Sequence, residues 1–102
     1  MLHRRAARVD ANHADVVRVA RECGASVLRI SGTEGACDLL VGFKGVDALW
    51  EVKASIRHRL NPAQIRFAAE WKGRRPYCVY DPSEVPKILR HMVAEGDDVR
   101  SD

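Results

Sequence analysis

The stretch Cys37-Asp38-Leu39-Leu40-Val41-Gly42-Phe43-Lys44-Gly45-Val46-Asp47-Ala48-Leu49-Trp50-Glu51-Val52-Lys53 decides how this chain folds. Its apolar run is broken once, at Phe43-Lys44-Gly45-Val46, and reads as two β-strands, Asp38–Phe43 and Asp47–Lys53, joined by a tight turn. A two-residue or a four-residue turn centred on Lys44-Gly45 sets Asp38 directly opposite Glu51. Opposed Cβ atoms on paired strands lie roughly 4.5–5.5 Å apart, and like charges there are destabilising. A fold avoids that arrangement unless a cation lies between the carboxylates, so the pair points to a metal site.

Residues two apart on a strand share a face, so Glu51 and Lys53 point the same way. Trp50 and Val52 then join Leu39, Val41 and Phe43 on the other side. The hairpin has one apolar side and one whose end carries two carboxylates and an ammonium. Magnesium prefers a few carboxylates, waters and phosphate oxygens over an all-protein cage. Such an ion activates water and polarises a phosphoryl oxygen, and Lys53 can orient that water or stabilise charge on the phosphate. The runs of Leu, Val, Ala and Trp also predict strands covered on both faces.

Outward from the hairpin, residues 1–9 read as a basic, unpatterned lead-in. A helix is expected from Ala11 to Cys23, with Val16, Val19, Ala20 and Cys23 at helical spacing and Gly24 as its stop. Ser26 to Ile30 reads as a strand, and Ser31 to Cys37 as a glycine-bearing loop able to pass close to a ligand. After a polar, basic connector from Ala54 to Leu60, Asn61-Pro62-Ala63-Gln64 opens a second helix. Lys72-Gly73-Arg74-Arg75-Pro76 ends it, Tyr77 to Tyr80 forms a short strand, and a last helix runs to about Ala94. Residues 95–102 read as an acidic tail. The order is αβββαβα, an α/β fold with a mixed sheet flanked by helices, and residues 10–94 make one domain.

A chain of 102 residues, 46% hydrophobic and 30% charged, supports one modest core. No apolar run approaches the roughly 18–20 residues that span a membrane, and the N-terminus does not read as a secretory signal. Cys23, Cys37 and Cys78 are widely spaced, which fits buried or idle thiols in a reducing, cytoplasmic setting. The net charge is only +3, but Lys53, Arg57, Arg59, Arg66, Lys72, Arg74 and Arg75 follow the hairpin against Glu70 alone. A basic block beside a candidate metal site suits a polyanion, with the arginines meeting the sugar-phosphate backbone; a merely solvated face has the same composition.

Asp38, twelve intervening residues, then Glu51-Val52-Lys53 on a hairpin after an αβ unit resembles the PD-(D/E)XK nuclease superfamily. More narrowly, Asp10-Ala11-Asn12, the segment Gly32 to Gly42, the Glu-Val-Lys and Leu60-Asn61-Pro62-Ala63-Gln64 resemble small stand-alone VRR-NUC and phage Holliday-junction-resolvase-like nucleases. The resemblance covers roughly residues 10–90. It implies a restriction-endonuclease-like core in which Asp38 and Glu51 bind Mg²⁺ or Mn²⁺, Val52 joins the metal ligands, and Lys53 and Gln64 complete the catalytic set. It places Asp15 where an acidic residue of the first helix, usually glutamate, often joins the metal shell. Cys37 stands where a proline commonly precedes the motif aspartate, and Asp15 is one methylene shorter than glutamate.

The same resemblance implies cleavage of DNA chosen by structure, branched or junction forms included, by a homodimer. Asp15 and Gln64 have competing roles, because Asn12-x-x-Asp15 is nearly a capping box and Asn61-x-x-Gln64 is a better one. Among other residues, Glu34 is a possible extra acid, His3, His13, His58 and His91 show no metal-ligand spacing, and Trp50 and Trp71 fit packing better than base stacking. Two rivals to a nuclease stay open: a non-catalytic nucleic-acid-binding module on the same fold, and an adaptor using the basic block to meet an acidic protein.

Overall fold

The computed structural model describes residues 2–30, 37–53 and 60–101, with the side chains of 11–30, 37–53 and 60–96. The central turn is the two-residue one: Phe43 pairs with Val46, and Lys44 (φ 50°) and Gly45 (φ 81°) both lie in the left-handed region. Two successive positive φ values match the right-handed twist of the strands they join. A Gly45→Ala substitution is expected to cost about 1–2 kcal/mol in chemical denaturation, since a Cβ is strained at that φ.

From this turn run β2 (Leu39–Phe43) and β3 (Val46–Val52). β1 (Ser26–Arg29) pairs antiparallel with β2, and β4 (Tyr77–Val79) pairs parallel with β3, giving the order β1-β2-β3-β4. Around them lie α1 (Leu2–Glu22), α2 (Pro62–Glu70), a single 3₁₀ turn (Pro82–Glu84) and α3 (Val85–Ser101). The expected mixed α/β architecture is present, element for element.

The core occupies one face of the sheet. Val27, Leu39, Val41, Ala48, Trp50, Val52 and Val79 meet Val16, Val17 and Ala20 of α1 and Val85, Leu89 and Met92 of α3. Both helical sets follow the three- or four-residue spacing of one helix face. Trp50 is fully buried, as packing requires. The expectation of cover on both faces is corrected. On the opposite face the register aligns Leu28, Leu40 and Leu49 in one row, with Leu28 exposed and the other two half-buried. The helix on that side, α2, is nine residues long and buries none of them, so it cannot roof the sheet.

Helix ends also differ. α1 begins at Leu2 rather than Ala11. Arg, Ala and Leu are strong helix formers, and nothing in Leu2–Asp10 stops a helix nucleated downstream. Its other end is as expected: Gly24 donates to the Arg21 carbonyl and Ala25 to that of Ala20, both at 3.0 Å, a Schellman closure. α3 continues past Ala94 to Ser101, so residues 95–101 are helical. Of the thiols expected to be buried or idle, Cys37 is buried and Cys78 half-buried, but Cys23 is exposed at the end of α1. Among the described residues no helix is long and apolar enough to cross a membrane.

Candidate active site

Asp38 sits one residue before β2, where the ladder ends at Leu39 paired with Trp50. Its N–H donates to the Trp50 carbonyl at 3.0 Å, and its Oδ2 accepts the Val52 N–H at 2.8 Å. The aspartate is thus fastened at both ends to the strand that carries Glu51. Glu51 pairs with Cys78 across to β4 and is 5% exposed. It is the buried charged residue of the described chain. Burial first, and then the nearby Asp38 charge, push its carboxyl up to about 7, with Lys53 pulling the other way.

Lys53 and Gln64 close around Glu51. The Gln64 Nε2 donates to Glu51 Oε1, and the Lys53 Nζ donates to Gln64 Oε1 at 2.8 Å and lies 3.6 Å from Glu51 Oε1. Gln64 also forms the capping box of α2: its N–H donates to Asn61 Oδ1, and its Oε1 accepts the Asn61 N–H, each at 2.9 Å. The two roles weighed for Gln64 are therefore compatible. One amide caps the helix with its oxygen and holds the acid with its nitrogen.

Glu51 Oε2 has no such partner although it is buried. An unpartnered carboxylate oxygen is costly unless something occupies it. Two carboxylates with hard oxygen donors, one oxygen left over and an ammonium alongside form a donor set that fits a divalent cation. Val52 has an apolar, buried side chain and an N–H already given to Asp38, so only its carbonyl could contribute. Cys37 is poorly suited to chemistry of its own: burial, with the Glu51 and Asp38 charges, pushes its thiol up to about 12.

Other candidates are placed elsewhere. Asp15 lies on the exposed side of α1, 3.6 Å from Arg18, and no group of three His, Cys, Asp or Glu gathers at metal-binding distance among the described residues. Its capping-box alternative does not form, because Asn12 lies inside α1 rather than before it. Arg66 and Arg75 are exposed, while Arg74 is half-buried and donates to the Met92 carbonyl of α3 at 3.3 Å. Arg57, Arg59, His58 and Glu34 lie outside the described residues. His13 meets Arg29, and His91 meets Tyr77 and Glu95, away from the carboxylate pair.

Asn12, which the sequence offered as a helix cap before Asp15, has a different role in the fold. Its Nδ2 donates to the Lys53 carbonyl at 2.5 Å and to the Tyr80 carbonyl at 3.3 Å, tying α1 to the ends of β3 and β4. The sequence held a signal: Asn12 stands four residues before Val16 and eight before Ala20, on the stripe that faces the core. Asn12→Ala leaves two part-buried carbonyls without this donor. It is expected to cost about 1–3 kcal/mol in thermal or urea unfolding.

No protein-family model and no curated protein matches the chain. Among solved structures it is similar to a VRR_NUC domain, with a TM-score of 0.68 and 26% identity over 82% of this chain and 96% of that one. The fold is therefore the PD-(D/E)XK-like nuclease fold of a VRR_NUC domain.

Proposed function

We propose that this chain is a divalent-metal-dependent nuclease that hydrolyses DNA phosphodiester bonds, chooses branched or junction DNA by structure rather than sequence, and acts as a homodimer. What carries the reading is the network at Glu51. A buried carboxylate with one free oxygen lies beside Asp38, with Lys53 and Gln64 locked to its other oxygen. A module that only bound a polyanion would gain nothing from two carboxylates facing it.

Asp38 and Glu51 would hold Mg²⁺ or Mn²⁺, with Val52 through its carbonyl. Asp15 would have to exchange Arg18 for the ion to take part. When bound, the ion supplies Lewis acidity toward the scissile phosphate and the attacking water. Lys53 carries the positive charge that meets negative charge building on the phosphate, and Gln64 holds its ammonium at 2.8 Å. Because Gln64 also caps α2, the catalytic lysine is set by a helix end rather than by a flexible loop. Arg66, Arg74 and Arg75, with Arg57 and Arg59, would meet the sugar-phosphate backbone, a contact that confers affinity with little sequence choice.

The test is incubation of labelled linear, flapped and four-way DNA with purified protein, in Mn²⁺ and in EDTA. Cleavage is expected in Mn²⁺ alone, fastest on the branched substrates. Salt-sensitive binding with no cleavage under any divalent metal would instead identify a binding-only module. Sedimentation of the free protein reads the homodimer separately.

A further inference from the structure

We propose that the groove along α2, lined by Trp71 and Arg75 past its C-terminal end, is a subsite for an unpaired nucleobase. The inference deepens the nuclease reading and rests on it.

Trp71 is 47% exposed, so the sequence-based expectation of a packing role holds for only part of the ring. The indole is nonetheless fixed. It stacks on Phe67 with ring centroids 5.3 Å apart and planes 18° from parallel. Its edge lies against Gly73, where a Cβ would come within 2.7 Å of the indole Nε1. The Trp71 N–H donates to the Phe67 carbonyl at 2.9 Å, which anchors the backbone as well. A large aromatic held still while half of it stays in water is a stacking surface prepared before any ligand arrives.

What the surface adjoins identifies the occupant. Trp71, Gly73, Ile65, Leu60, Ala68 and Arg75 line a cavity of about 400 Å³, within the roughly 300–1,000 Å³ of ligand clefts. Leu60, Ala68 and Arg75 also line the neighbouring cavity that contains Glu51 and Gln64. The groove therefore shares a wall with the cavity that holds Glu51. Its one charged lining residue is Arg75, which is exposed and lines both cavities. An aromatic and apolar wall beside an exposed arginine complements a flat ring joined to a phosphate better than it does an apolar protein face.

In a duplex both faces of each base are already stacked, and the indole has nothing to receive. An unpaired base at a flap, gap or junction offers a free face. Structure selection then follows from one aromatic side chain, without any base-edge reading.

The test uses the intact chain with Ca²⁺ in place of the activating metal, and compares single-stranded oligothymidylate with a fully paired duplex of equal length. Trp50 is fully buried and Trp71 is exposed, so quenching of tryptophan emission reports Trp71. Oligothymidylate is expected to quench it. Trp71→Ala is expected to lose affinity for the single strand about tenfold or more, with duplex affinity unchanged and Trp71→Phe retaining most of it. Equal losses on both DNAs, or no loss on either, would overturn the subsite. So would a Trp71→Ala protein that is monomeric where the unmodified chain is dimeric, since the groove would then be a protein interface. Cleavage is scored separately: a protein that shows the single-strand effect but never cuts retains the subsite and loses the nuclease reading.

Discussion

Replacing Glu51 by glutamine is expected to lower metal-dependent DNA cleavage by about 10³-fold or more while the chain stays folded. Glutamine keeps the shape and can still offer an oxygen to Gln64 Nε2, as Glu51 Oε1 does. What it removes is the charge at a buried oxygen that has no other partner. Asp38→Asn is expected to fall as far, though its backbone bond to Val52 at 2.8 Å can survive through the amide oxygen. Lys53→Met is expected to lose about 10²–10³-fold, the range for removing one group that stabilises transition-state charge. Gln64→Ala should lose less activity, because it positions Lys53 and Glu51 rather than meeting the phosphate. Kinetics on a flapped or four-way DNA, with circular dichroism to confirm folding, give the order.

The second large effect is on stability, and its sign follows from Glu51. Burial and the Asp38 charge raise its carboxyl from 4.5 to about 7 in the metal-free protein. A group whose pKa rises on folding binds its proton more tightly in the native state. Its contribution is complete below the unfolded value and is lost as pH rises through the folded one. Metal-free stability is therefore expected to fall between about pH 4.5 and 7, by at most about 3 kcal/mol.

Divalent metal is expected to reverse this trend, because the proposed site would take the ion with both carboxylates ionised. Mg²⁺ or Mn²⁺ should raise the melting temperature strongly at about pH 8 and little at about pH 5. In Glu51→Gln both the slope and the metal response should disappear. That variant should then be more stable than the metal-free parent above neutrality, because it no longer holds a charge that burial and Asp38 disfavour. Urea unfolding across pH, with EDTA or metal, measures both.

Much of this site was legible because strand periodicity and one tight turn leave few choices. Once Lys44 and Gly45 form the turn, the register brings Asp38 to the strand of Glu51, and the two-residue repeat puts Glu51 with Lys53. Asn61 and Pro62 announce a helix start, and that start delivers Gln64 to Glu51. What escaped was long-range. Asn12 looked like a helix cap because capping is read locally, and its bonds to Lys53 and Tyr80 span 41 and 68 residues. Trp71 looked like a packing residue because composition does not say which side of a helix end is roofed. The open row of Leu28, Leu40 and Leu49 was missed for the same reason: apolar strands do not record how short their covering helix is.

The claim that Asp38 and Glu51 form a divalent-metal site is tested most directly by calorimetric titration with Mn²⁺ at about neutral pH, in two buffers of different ionisation enthalpy. Binding with release of a proton is expected, because Glu51 is partly protonated there and must ionise to bind metal. Asp38→Asn and Glu51→Gln should abolish it. Mn²⁺ binding of undiminished affinity in both variants would contradict the claim and move any metal chemistry away from this pair.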